Sequence, residues 1–163
     1  WLAHRVEASP EDAEPIVAGL ATSEGGRAHL RRLAERASSE RVAKFALVAV
    51  ADSVDERVVR AHLGSVSPEL RGGALTALAR RGAADAVDVA LGALTDGSDD
   101  VRRAALRALV ELGDPRALAA IEPLRWQTEP YDERTEPPSV GHIAEWAFGE
   151  LRRRERDGGG GAG

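Results

Sequence analysis

Few residues in this chain have the type and spacing to do chemistry. Histidine occurs four times, as His4, His29, His62 and His142. Only His142 has a carboxylate at helical spacing, Glu145, three residues on. A histidine and an acid one turn apart make half of a metal site, and coordination needs further protein ligands. The chain has no cysteine and nothing else spaced to complete the set, so no metal is expected. The sequence holds no G-x-S-x-G elbow, no phosphate loop with its lysine and no convincing Ser-His-Asp spacing. We therefore expect no catalytic residue and no cofactor, and not an enzyme.

The second group is aromatic. Trp126, Tyr131, Trp146 and Phe148 fall within 23 residues of a chain that has six aromatics in all. Exposed Trp and Tyr anchor protein interfaces. Residues 126–138 show no apolar period and carry prolines and charges. A loop of that length is functional or disordered. Trp126 and Tyr131 are thus candidate partner-binding residues, while Trp146 and Phe148 are expected to pack.

Arginines form the third group. They take their meaning from the elements that hold them. The stretch Leu94 to Leu124 reads as two helices and a turn. Ser98 is a good N-cap, with Asp99 and Asp100 at the positive end of the helix dipole. Val101, Ala105, Ala108, Leu109 and Leu112 share one face at helical period. Leu106 and Val110 widen that face, so the helix must be covered on more than one side. Gly113 suits the C-terminal cap, and Asp114-Pro115 opens a second helix with Ala117, Leu118, Ile121 and Leu124 inward.

The same pattern recurs 31 residues earlier. Leu70-Arg71, Ala74-Leu75, Ala77-Leu78 and Gly82 match Val101-Arg102, Ala105-Leu106, Ala108-Leu109 and Gly113. A fainter copy has Ala43, Ala46 and Leu47 in register, with Glu40 where the arginine would stand. A fixed period of this size signals a repeat architecture. Val101-Arg102, Ala105, Ala108-Leu109 and Gly113-Asp114 together resemble the HEAT-like repeats, in the short Ala- and Leu-rich bacterial type first described in phycobilisome lyases. The resemblance is strong over 63–124, weak over 39–62 and absent beyond.

The resemblance implies an all-α fold: a right-handed α-α superhelix, a HEAT-like solenoid, of about four helical hairpins plus a C-terminal cap helix. The repeats are drawn at 9–38, 39–63, 64–94 and 95–125. The loop 126–138 follows, then the cap helix 139–156, all in one domain over 1–157. A flexible glycine-rich tail covers 158–163. Within the first repeat, Gly25-Gly26 is read as the break between two helices. The resemblance also implies that Arg71 and Arg102 make structural ion pairs that tie repeats together. On a helical wheel Arg102 falls inside the apolar arc, where a charge needs a partner. The second helices would line a concave face. Its outward positions include Arg31, Arg57, Arg60 and Arg116 as candidate partner contacts, beside Arg32, Asp55 and Asp88.

Composition narrows the functions further. Net charge is −5, with 43% hydrophobic and 4% aromatic residues. The core is therefore Ala, Leu and Val, which lets helices approach closely. The acidic balance argues against a general nucleic-acid binder. Lys44 is the only lysine, and the Arg, Ala and Gly richness fits a GC-rich coding sequence. No apolar run approaches the ~20 residues of a membrane span. There is no methionine, so Trp1 is not expected to be a natural start. The expected function is a non-enzymatic protein-protein interaction scaffold in the cytoplasm, with another protein as partner. Two alternatives stand behind it. In one, a lyase-like or accessory protein holds a chromophore, cofactor or modified side chain in its groove. In the other, Arg27 to Lys44 binds nucleic acid, which predicts steep salt dependence.

Overall fold

The computed structural model describes residues 12–127 and 138–159, with side chains to 157. Residues 1–11, 128–137 and 160–163, which include Tyr131 and most of the expected loop, lie outside the described part. Among the described residues there are nine α-helices and no strand. They are α1 Ala13–Leu20, α2 Glu24–Arg36, α3 Glu40–Ala49, α4 Glu56–Leu63, α5 Pro68–Arg81, α6 Ala86–Ala93, α7 Asp99–Leu112, α8 Ala117–Ile121 and α9 Val140–Gly159. A 3-10 turn, Glu122–Trp126, extends α8. The described residues are thus all-α, arranged as successive helical hairpins.

Local chemistry explains where the helices begin and end. Ser23, Ser39 and Ser67 each accept a hydrogen bond from the backbone N–H three residues on, at Gly26, Val42 and Leu70. Ser98 holds the same position before α7 but makes no such bond; its own N–H donates to Asp96 Oδ1 instead. Gly82 (φ 65°) and Gly113 (φ 70°) end α5 and α7 in the left-handed conformation. An L side chain there costs about 1 kcal/mol, which is why both repeats place glycine at that step.

The chain divides into two compact units, at Ala83 and Ala84. The division falls inside the repeat drawn at 64–94. In the first unit α3 is central, packing on α1, α2 and α5, while α4 packs on α5. Its core includes Leu30, Val42, Leu47, Val59 and Leu78, all essentially inaccessible. In the second unit α7 packs against α6 and α9, and α9 also packs against the 3-10 turn and α8. Two neighbours meet the demand of the wide apolar arc on α7: Leu106, Leu109 and Val110 are all buried.

Several expectations are corrected. Gly25 and Gly26 do not break a helix but form the first turn of α2. A Cβ on Gly26 would lie 1.9 Å from the Leu20 carbonyl oxygen, so that glycine marks where α2 begins against the end of α1. The second helix of the last hairpin is α-helical only over Ala117–Ile121 and tightens to 3-10 through Trp126, with Pro123 near its start. The last helix runs on through Gly158 and Gly159, two residues into the stretch expected as tail. On α7 the buried arginine is Arg103, at 7% exposure, while Arg102 keeps 27% of its side chain in solvent. Arg103 is held by Asp100 one turn earlier.

Arginines also fasten the ends of neighbouring helices. Arg81 at the end of α5 donates from Nη1 to the carbonyls of Ala51 (2.8 Å) and Val54 (2.7 Å), in the turn between α3 and α4. Arg154 of α9 donates to the Val110 carbonyl of α7. A guanidinium suits such sites, because the last carbonyls of a helix have no partner within it. Arg81→Ala is expected to cost about 1–3 kcal/mol in urea unfolding, since two part-buried carbonyls lose their donor. Arg80→Ala, next along the helix, should stay within about 0.5 kcal/mol. Arg80 is exposed and makes one long contact, 3.5 Å, to Val48 O.

Candidate functional site

The second unit builds its aromatic surface from two short pieces of chain. The tight 3-10 turn carries Arg125 and Trp126. On α9, Glu145, Phe148 and Arg152 stand at i, i+3 and i+7 and so share a face. Packing of α9 on the turn brings the two sets together. Arg125 is the hinge of the arrangement. Its Nε donates to Glu145 Oε2 at 2.5 Å and its Nη2 to Oε1 at 3.1 Å, a two-point clamp. The same guanidinium lies 4.1 Å from the Phe148 ring centre and 5.4 Å from that of Trp126. Arg152 lies 5.5 Å from Phe148 and pairs with Glu155 at 3.2 Å. The result is a run of alternating cation and ring: Trp126, Arg125, Phe148, Arg152.

The outer member of that run is open. Trp126 is 76% exposed. Trp146, expected to pack, is 50% exposed, because Ala144, Ala147 and Leu151 form the inward face of α9 and position 146 falls off it. Phe148 is half-buried. The hydrogen bond from Arg125 is the main cause that holds the Glu145 carboxyl below its usual range, and the same bond raises the Arg125 guanidinium. The clamp therefore stays charged at any pH near neutral.

Other sequence candidates are placed differently. Glu145 is committed to Arg125, and His142 Nδ1 lies 2.6 Å from Ser139 Oγ. The two are thus not gathered as ligands. Among the described residues no cluster of three or more His, Asp or Glu could hold a metal. In the first unit Arg31 pairs with Glu24 at 2.9 Å and Arg60 with Glu56 at 2.6 Å, while Arg57 is exposed. In the second unit Arg116 binds Asp114 at 3.0 Å and Asp88 at 3.1 Å. Its hydrogen bond lowers the Asp114 carboxyl, and that bond in turn raises Arg116. These candidate arginines other than Arg57 are largely neutralised by their own neighbours.

Arg71 and Arg102 turn back toward the loop before their own helix. Arg71 Nη1 donates to the carbonyls of Ser65 (2.9 Å) and Val66 (3.1 Å). Arg102 pairs with Asp99 and donates to the Asp96 carbonyl at 3.2 Å. The sequence reading passed over Arg125, the residue that assembles the aromatic surface. Its one visible signal was an arginine beside Trp126, directly before the period is lost.

A family model described as HEAT repeats matches residues 56–136. No curated protein matches the chain. No helix among the described residues is long and apolar enough to cross a membrane.

Proposed function

The chain is a HEAT-like repeat protein, a class that generally serves as protein-interaction scaffolds, and on that premise we propose that it is a non-enzymatic binding module. Its partner is another protein, engaged through the surface around Trp126. The observation that carries this reading is the exposure of Trp126 on a base that cannot easily move. Arg125 is held by Glu145 and by the Phe148 ring, and Trp126 rests against Arg125. Binding normally costs about 0.5–1.5 kcal/mol for each mobile side chain it immobilises. Here much of that ordering is already present in the free protein. A large amphipathic ring on a fixed base is the usual form of an interface anchor.

The test is affinity capture at moderate salt with the wild-type chain beside Trp126→Ala. The expected result is a protein partner retained by the wild type and lost by the variant. Its folding stability should stay within about 0.5 kcal/mol of wild type, because so exposed a ring contributes little to the core. A partner held equally by both proteins would refute the reading.

A further inference from the structure

The first unit carries an open groove of about 510 Å³ that the surface around Trp126 does not involve. It lies along the first helices of the hairpins. Phe45 and Val48 of α3 line it together with Ala18 of α1 and Ala21 just past its end, and with Thr76 and Arg80 of α5. Phe45 and Val48 stand at i, i+3 and are both half-buried, so α1 and α5 leave an apolar stripe of α3 uncovered. The small side chains on the α1 side would let another backbone come close.

The groove also carries unbalanced charge. Lys44 Nζ lies 5.3 Å from the Phe45 ring centre and Arg41 Cζ 5.8 Å from it, with Arg80 on the far side. None of these three cations has a carboxylate partner among the described residues. In the same unit Arg27, Arg31, Arg60 and Arg81 each face an acid within 4 Å, while Arg32, Arg36 and Arg57 have no such pair among the described residues but stand away from the groove lining. Among the described residues, the one carboxylate lining the groove is Glu14, exposed on α1. In a chain of net charge −5, a local excess of cations beside apolar surface is out of character.

Lys44, the only lysine of the protein, is also held in place. Its stem crosses Gly73 of α5, where an added Cβ would sit 3.0 Å from Lys44 Cγ. Gly73 thereby leaves the slot that carries the stem. The ammonium end lies at the groove, 5.3 Å from the Phe45 ring centre.

We propose that this groove docks an amphipathic helix of a partner protein, whose apolar stripe covers Phe45 and Val48 and whose flanking Asp or Glu residues meet Lys44, Arg41 and Arg80. A helix laid in an apolar groove fills it with side chains at i, i+3 or i+4 and i+7. The trough is open along its length. A small ligand needs most of its surface enclosed, which this shape does not provide. Charge complementarity sets which helices are accepted and speeds the encounter.

The test uses a display library of 16-residue helical peptides with randomised faces, selected on the full chain. The expected peptides carry Leu or Ile at i, i+3 or i+4 and i+7, flanked by Asp or Glu. Lys44→Gln with Arg80→Gln should weaken them by about tenfold or more, with helical content and thermal midpoint unchanged. Ala18→Phe, which fills the groove from an exposed position, should weaken them as well. Four results would overturn the proposal: no enrichment; enrichment of basic or uncharged flanks; affinity that ignores both variants; or enrichment seen only after residues 1–11 are removed, which would make the chain its own occupant.

Discussion

Leu109→Ala is expected to lower folding stability by about 2–5 kcal/mol. Leu109 has no exposed surface and stands on α7, the helix with packed neighbours on two sides. Truncation removes three carbons from apolar surroundings and leaves a cavity. The size of the loss depends on how far the walls can close. Here closure is restricted, because α7 is gripped by α6 on one side and by α9 on the other. Arg154 further ties the end of α9 to the Val110 carbonyl. The loss should therefore fall in the middle or upper part of the range. Urea unfolding of wild type and variant measures it, with Leu112→Ala as comparison. Leu112 is only half-buried on the same helix and should cost distinctly less. Equal losses at the two positions would mean that the inward face of α7 is misassigned.

The second large effect separates two adjacent glycines. Alanine is a better helix former than glycine by about 1 kcal/mol, so Gly→Ala inside a helix ordinarily stabilises. Gly25→Ala should follow that rule and gain up to about 1 kcal/mol, since a Cβ there meets nothing within 4 Å. Gly26→Ala should do the opposite and lose about 1–3 kcal/mol by overpacking. Its Cβ would fall 1.9 Å from the carbonyl oxygen and 2.8 Å from the carbonyl carbon of Leu20. Those are backbone atoms and cannot swing aside like a side chain. Either α1 retreats from α2, opening the contact around buried Leu20 and Leu30, or the first turn of α2 unwinds. Thermal unfolding of the two single variants gives the signs directly. Two shifts of the same sign would refute the close approach of α1 and α2.

Much of the architecture was readable before any coordinates. The 31-residue recurrence of Leu-Arg or Val-Arg, paired alanines, leucine and glycine identified helical hairpins and their inward faces. The glycine caps at Gly82 and Gly113 fell where expected, whereas Ser98, expected as an N-cap, holds the position without making the capping bond. The candidate surface was only partly legible. Trp126 stood out by type, but the residue that fixes it did not. Arg125 looked like one more arginine in a chain full of them, and its partners Glu145 and Phe148 are some 20 residues away on another helix. Trp146 was misjudged because a wheel drawn on α9 alone does not show how narrow its covered face is.

The sequence by itself thus determined the helical hairpins of the two clear repeats, their glycine caps and their apolar arcs. Those features rest on hydrogen bonds and side-chain periods that span four residues or fewer, so a local reading contains them. Only the tertiary structure decided that Gly26 is a contact and not a break, that Arg103 and not Arg102 is the buried cation, and that Arg125 joins Trp126 to Phe148. Each of these depends on the distance and rotation between two helices. That geometry is set by the sum of many side-chain contacts, and no single stretch of the chain encodes it.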